Sequence, residues 1–228
     1  MDTIVFRGVT FRYKPSSDFV LKVDKYDIGI NGIIGIFGNS GSGKTTLAKL
    51  IAGIESPSSG EIILGEELKD AVYIPQFPER VFVGGNVAKT VEIVLSRKGD
   101  FHNSFEFFRR VLNRFGLNYH VIRKRYGFEL SAGELRKFAL SLGFACNPDL
   151  LIIDEPSVGL DRRSKEKLIE ILNELRQERM IIVSHDMHFL ERVASSIYFL
   201  EAGKIVGRMS LEHYGDVVSD VKDDERES

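Results

Sequence analysis

Tryptophan is absent from the 228 residues, and cysteine occurs once, as Cys146. One thiol excludes an intrachain disulfide and any cysteine-based metal site. Among Phe144, Ala145 and Leu150, Cys146 reads as a buried structural thiol rather than a nucleophile. Long apolar runs are also missing. Stretches such as Leu150 to Ile153 fall far below the roughly 18–20 residues that span a bilayer, and the N-terminus carries no apolar signal stretch, so a soluble, cytoplasmic product is expected. Neither sign of charge dominates. With 31 Lys+Arg against 33 Asp+Glu, the net charge of −2 offers no general electrostatic reason to bind nucleic acid, and no nucleic-acid partner is expected. Glutamine occurs only as Gln76 and Gln177 beside many Lys and Glu, a composition that leans toward a thermophilic source.

What is present suits a folded α/β protein. At 43% hydrophobic and 28% charged residues, the chain has enough apolar material for one large domain or two small ones, and disorder and fibre are excluded. Residues 3–13 and 19–30 are rich in β-branched and aromatic residues and are separated by the loop Pro15-Ser16-Ser17-Asp18, which predicts an antiparallel start. Gly32 to Phe37 then forms a continuous apolar strand, followed by a glycine-rich turn and a helical pattern from Lys44 to Ile54. Short strands are predicted at 61–64 and 71–74. Residues 77–128 hold no clear strand but eight of the sixteen Phe; a helix over 104–115 places Phe105, Phe108, Leu112 and Phe115 on one face. The α/β pattern resumes with strand 150–153, helix 163–177, strand 180–183, helix 187–194 and a hairpin of 197–200 with 204–208. Residues 212–228 form an acidic tail, expected to be frayed and solvated. No internal repeat or low-complexity tract is visible.

Three constellations carry chemistry. Gly38-Asn39-Ser40-Gly41-Ser42-Gly43-Lys44-Thr45 fits G-x-x-x-x-G-K-[ST] between a buried strand and a helix. The glycines let backbone N–H groups curl around a β-phosphate, the helix N-terminus adds its positive dipole end, Lys44 meets β/γ oxygens and Thr45 ligates Mg²⁺. Thr46 follows as a further candidate contact. Leu150 to Glu155 is an apolar strand ending in two carboxylates, which a central parallel strand delivers to the ligand edge of a sheet. Asp154 is expected in the Mg²⁺ shell. Glu155 is expected to face the attacking water, orienting and polarising it rather than acting as a strong base. Ser131, in Leu130-Ser131-Ala132-Gly133-Glu134, precedes the helical pattern Leu135, Phe138, Ala139, Leu142 and is a candidate N-cap whose helix start could receive an anion.

In order and spacing these motifs resemble those of the ATP-binding cassette ATPases over essentially the whole chain. The P-loop is Gly38 to Thr45. Gln76, after Tyr73-Ile74-Pro75, is similar to the Q-loop, and Leu130 to Glu134 to the family signature, commonly LSGGQ. Asp154-Glu155 resembles the Walker B pair, Ser157 to Asp161 the D-loop, and His185 the switch histidine. The resemblance implies an α/β fold: a P-loop NTPase core with an N-terminal antiparallel β subdomain (1–76 and 148–211) and an inserted helical subdomain carrying the signature (77–147). It implies ATP and Mg²⁺ as cofactors. Tyr13 falls at the adenine-stacking position, Gln76 joins Thr45 and Asp154 near the metal, and His185 reaches the γ-phosphate. Two such subunits would sandwich two ATP molecules head to tail, Ser131 and Gly133 of each capping the nucleotide on the other's P-loop. Ala132 and Glu134 depart from the usual glycine and glutamine, adding a methyl and a negative charge near the phosphate, which predicts a less efficient half-site.

Gln76-Phe77-Pro78-Glu79 followed by Phe82 resembles the Q-loop neighbourhood of energy-coupling-factor vitamin importers and the related cobalt and nickel importers. Implied partners are a second, non-identical ATPase subunit and integral membrane transport subunits, with the chain peripheral on the cytoplasmic face of the membrane. Phe77, Val81, Phe82 and Val83 are expected to line a groove for a short membrane-subunit helix. Two other readings stay open at this point: the ATPase of another transporter class, and a soluble non-transport cassette. The soluble class typically carries two cassettes or long coiled-coil insertions, and neither is seen in the roughly 85 residues between Thr45 and Leu130.

Overall fold

The computed structural model describes residues 2–14, 20–83, 85–175 and 178–211. The expected loop at Pro15 to Asp18, Gln177 and the acidic tail lie outside the described residues.

Strand β1 (Thr3–Phe11) pairs antiparallel with β2 (Leu21–Gly29), Thr3 opposite Gly29 and Phe11 opposite Leu21. β1 also pairs antiparallel with β4 (Ser59–Leu64), giving a three-stranded sheet in the order β2-β1-β4. Alternation buries Ile4, Phe6, Val9 and Phe11 on one face. The period slips between Phe6 and Val9, where Gly8 adopts φ 59° and the register against β4 shifts.

The second sheet has the order β5-β6-β7-β3-β8-β9, formed by β3 (Ile33–Phe37), β5 (Ala71–Ile74), β6 (Leu150–Asp154), β7 (Met180–Ser184), β8 (Ser196–Glu201) and β9 (Lys204–Ser210). All pairings are parallel except β8 with β9. Every residue of β6 and β7 is buried, because both faces of a parallel sheet are covered. Ile34, Ile36, Ile152, Ile181 and Val183 face the antiparallel sheet and helix α1 (Lys44–Ile51), whereas Ile33, Ile153, Ile182 and Ile197 face α6 (Arg162–Glu174) and α7 (Met187–Glu191). In register, Phe37 lies beside Ser184 and Asp154 beside Val183. The chain therefore leaves β3, β5, β6 and β7 along one edge, carrying the P-loop, Gln76, Asp154-Glu155 and His185 to the same place.

Residues 77–147 supply α2 (Val87–Leu95), α3 (Phe101–Arg114), α4 (Tyr119–Ile122) and α5 (Ala132–Ala145), which close around Phe108, Leu112, Ile122 and Phe138. α3 begins a turn earlier than periodicity indicates, because Asp100 caps it, accepting from the Asn103 N–H at 3.1 Å. α1 ends at Ile51 rather than Ile54. Gly53 takes φ 68°, and the N–H groups of Gly53 and Ile54 return to the Leu50 and Lys49 carbonyls, a Schellman ending that only a glycine closes without strain.

α5 belongs to two cores at once. Leu135, Phe138 and Leu142 join the helical cluster, while Ala139, Leu140 and Phe144 pack under the sheet. At Gly143 the helix approaches β5 so closely that a Cβ would stand 2.2 Å from Ile74. No helix among the described residues is long and apolar enough to cross a membrane.

Candidate active site

Helix α1 stands apart from the others at its start. α2, α3, α4, α5, α6 and α7 are each capped by a side chain, from Asn86, Asp100, Asn118, Ser131, Asp161 and Asp186. At α1 the cap is Gly43, at φ 104°, with no side-chain acceptor. The first-turn amides of α1 are thus left for an external anion at the positive end of the helix dipole. At the other end of the loop, a Cβ on Gly38 would meet the Leu200 carbonyl and Ser42 Oγ at 2.4 Å, so the strand exit accepts only glycine.

A cavity of about 750 Å³ opens over this loop, lined by Tyr13, Asn39, Ser40, Gly41, Gly43, Lys44, Thr45, Thr46, Gln76, Glu155 and His185. Lys44 is buried; its ammonium donates to the carbonyls of Gly38 (2.7 Å) and Asn39 (3.2 Å) and stands 3.7 Å from Glu155 Oε1. Tyr13 is 51% exposed, set edge-on to Phe11, with its hydroxyl 3.1 Å from Thr46 Oγ1. One P-loop residue departs from expectation. The Ser42 side chain does not line the cavity; it is buried against Gly38, its hydroxyl without a hydrogen-bond partner among the described residues.

Asp154, buried at the end of β6, accepts from the Thr45 hydroxyl at 2.8 Å and from the Tyr73 hydroxyl at 2.9 Å, both at Oδ2. Oδ1 is buried and has no partner among the described residues. Burial holds this carboxyl above the ordinary aspartate value, against the two hydroxyl donors and Lys44 that favour its charge. A buried carboxylate oxygen with a free lone pair beside a threonine hydroxyl suits a hard divalent cation such as Mg²⁺. No cluster of three His, Cys, Asp or Glu able to hold a metal occurs among the described residues, so a cation here would share its shell with ligand oxygens.

Glu155 is fixed from three sides. It accepts from Ser184 Oγ (3.1 Å), from the His185 main-chain N–H (3.1 Å) and, at Oε1, from His185 Nδ1 (2.9 Å). Its own backbone sits at φ 50°, a left-handed conformation that costs a non-glycine residue about 1–3 kcal/mol and clusters at functional sites.

Ser131 and Gly133 are not brought into this cavity. Ser131 caps α5 as expected, its hydroxyl accepting from the Glu134 N–H (3.2 Å) while Glu134 accepts from the Ser131 N–H (2.8 Å). The reciprocal bonds, led by that of the Ser131 backbone, hold the Glu134 carboxyl below its usual range, and Arg125 lies 3.5 Å away. The charge expected to repel phosphate is therefore engaged within its own chain. Tyr73, Ser184 and Arg136 were not legible as site residues. Arg136, 2% exposed on α5, donates to the Pro75 carbonyl at 3.0 Å and to the Gln76 carbonyl. A lone Tyr on a strand or an Arg in a helix has no sequence signature; these roles emerge from strand register and helix packing.

The family described as ABC transporter matches residues 21–158. The chain is 34% identical over 234 residues to a Mycoplasma pneumoniae protein named as an ABC transporter ATP-binding protein, the match covering 93% of this chain and 65% of that one. It is 31% identical over 180 residues to the energy-coupling factor transporter ATP-binding protein EcfA2 of Thermotoga maritima, covering 75% and 68%. The chain thus spans about two thirds of the length of these two relatives. A solved dimeric ATP-binding cassette in a post-hydrolysis state, bound to ADP and Pi, has the same fold at 20% identity and a TM-score of 0.76, covering 92% of this chain and 100% of that one. A glycine loop feeding an uncapped helix, a strand delivering Asp154 and Glu155, and a match across most of the chain lead to one conclusion: this protein belongs to the ABC transporter family, as an ATP-binding ATPase subunit.

Proposed function

We propose that the chain hydrolyses MgATP within an importer of the energy-coupling-factor type, pairing head to tail with a second, non-identical ATPase subunit on the cytoplasmic face of the membrane. The observation that carries this reading is a separation. The P-loop, Gln76, Glu155 and His185 meet in one cavity, while Ser131 and Gly133 start α5 outside it. A signature held outside its own nucleotide site has work to do on a partner's. The likeness to EcfA2 of Thermotoga maritima favours the importer type over other transporter classes and over a soluble cassette.

In this reading Tyr13 stacks on adenine, Asn39 to Thr46 hold the phosphates through main-chain N–H groups, and Lys44 leaves the loop carbonyls for β/γ oxygens. Thr45, Asp154 and Gln76 would hold Mg²⁺, which supplies charge neutralisation for the phosphates. Glu155, immobilised by Ser184 and His185, orients a water at the γ-phosphorus. The water's oxygen forms the new P–O bond as the bond to the ADP oxygen breaks, and the water's proton ends on phosphate. His185 donates to a γ-phosphate oxygen.

The proposed membrane contact is the stretch from Phe77 to Val83 together with the cavity beside it. Phe82 is half-buried, 5.0 Å from Phe138 of α5, and forms the floor of a cavity of about 590 Å³ walled by Glu79, Tyr126, Phe128 and Leu135. Among the described residues, Tyr126 (48% exposed) and Phe128 (86%) are the exposed aromatics of this cavity, and Phe77 (60%) and Val83 (42%) are the exposed apolar side chains of the stretch that carries Phe82. A short membrane-subunit helix docking here would fit the importer reading. The test is Phe77→Asp with Phe128→Asp: nucleotide binding by the isolated subunit should persist while co-purification with membrane subunits is lost. Normal assembly would contradict the placement.

A further inference from the structure

Arg136 is among the largest fully buried side chains of the described residues, and its guanidinium is spent in an unusual way. Its two terminal nitrogens donate not to a carboxylate but to successive main-chain carbonyls, Pro75 and Gln76, at the exit of β5. A planar fork fixes the direction of both bonds at once, whereas a lysine ammonium on its flexible stem can reach two carbonyls, as Lys44 does, without fixing their orientation. Burying this cation is costly, and the negative charges of Asp154, Glu79 and Glu155 only partly offset it. An apolar side chain of similar length would fill the same space without that cost, so packing alone does not explain an arginine here.

Its position supplies an explanation. The Gln76 side chain lines the nucleotide cavity, while its carbonyl is held by α5. α5 begins at the Ser131 cap, five residues or about 7.5 Å along a rigid helix from Arg136. Helix α5 is buried from Leu135 almost without interruption to Ala145, so it moves as a body.

We propose that Arg136 is a positioning residue of the ATPase cycle: its fork sets the Gln76 backbone and ties the nucleotide-facing glutamine to the signature helix of the same chain. The inference rests on the reading of the cavity as a MgATP site contacted by Gln76. When Gln76 closes on the nucleotide, the pull reaches α5 through two hydrogen bonds and turns Ser131 and Gly133 toward the partner subunit. A coupling claim of this kind is settled by a double-mutant cycle rather than by proximity.

The experiment compares Arg136→Met, Gln76→Ala and the double variant in the subunit assembled with its native partners, reading kcat and KM for MgATP, with MgADP affinity of each isolated subunit measured by calorimetry. Each single variant should lower kcat roughly tenfold, within the range for coupling between sites, with KM and MgADP affinity within a few-fold of wild type. The double variant should be no slower than the slower single one. Arg136→Lys, which keeps the buried charge but not the fork, should remain slow; full rescue by Lys would show that charge alone is needed and overturn the proposal. If Arg136→Met fails to fold, Arg136→Lys takes its place in the cycle. Multiplicative losses, or an unaltered kcat in the Arg136 variants, would overturn the link. An unaltered kcat in Gln76→Ala would instead remove the reading of Gln76 on which it rests.

Discussion

His185 Nδ1 lies 2.9 Å from Glu155 Oε1, and the same residue's main-chain N–H stands 3.1 Å from that carboxylate. A carboxylate only accepts, so Nδ1 carries the proton of this contact. Nε2 is then the second nitrogen of the ring, the one left free to face a phosphate oxygen. His185→Ala should therefore remove both the phosphate donor and one of the supports of Glu155. The expected outcome is turnover lowered roughly a hundredfold, within the range of acid–base contributions, with MgATP affinity within a few-fold of wild type. Steady-state phosphate release and calorimetry check the two halves separately.

Asp154 gives a prediction about stability rather than rate. Its carboxyl is held above the ordinary value chiefly by burial. A raised folded-state pKa contributes stability that is fully present below the unfolded value and is lost as pH rises through the folded value. At neutral pH the ionised Asp154 is thus a liability to the nucleotide-free protein. Asp154→Asn should raise the melting temperature of the nucleotide-free subunit near pH 7, and the gain should shrink as the pH falls through the raised folded-state value and be gone below about pH 4, the unfolded value. The same variant should lose the extra stabilisation that Mg²⁺ adds to bound nucleotide. Scanning calorimetry with and without MgADP reads both effects.

Tyr13 is half exposed at the cavity rim, its ring edge-on to Phe11 and its hydroxyl on Thr46. Tyr13→Ala should weaken ATP binding by roughly 1–3 kcal/mol, the range for base–aromatic stacking, and affect inorganic triphosphate little. Tyr13→Phe should stay close to wild type for ATP. Equal losses for ATP and triphosphate would make Tyr13 a packing residue.

The altered signature now separates into two effects. Ala132 is exposed at the first position of α5, whereas the Glu134 carboxylate is turned back onto the Ser131 N–H. Ala132→Gly should raise the turnover of the assembled enzyme or leave it unchanged. Glu134→Gln should alter it less than about twofold, since glutamine also closes a capping box. A large gain from Glu134→Gln alone would restore charge repulsion as the dominant defect.

Much of this was legible in the sequence because local rules and the fold agree. The P-loop announces itself through glycine spacing, and the all-apolar run ending in Asp154-Glu155 is what a strand buried on both faces must look like. Ser131 was readable as a cap because it precedes the helical pattern of Leu135, Phe138, Ala139 and Leu142; the reciprocal bond from Glu134 was not foreseen. The ends of α1 and α3 were misplaced because Gly53 and Asp100 outweigh hydrophobic periodicity at a helix terminus. Phe82 was expected to line an apolar groove and does line a cavity, but the sequence does not show that Phe138 comes to lie against it. Tyr73 and Arg136 were missed for a related reason: their partners are more than 60 residues away or lie on the main chain, so only the register of β5 on β6 and the seating of α5 reveal them.

In the proposed mechanism Glu155, held by Ser184 and His185, directs the water that cleaves ATP bound over Lys44. The most direct test of that role is single-turnover hydrolysis of MgATP by the assembled complex, wild type against Glu155→Gln, with retained nucleotide measured in parallel. Glutamine keeps the shape and removes the charge. The prediction is a fall in hydrolysis of at least about a hundredfold, with MgATP still bound and the closed ATPase pair accumulating. Hydrolysis at the wild-type rate in Glu155→Gln would overturn this role of Glu155 and assign the water to another residue.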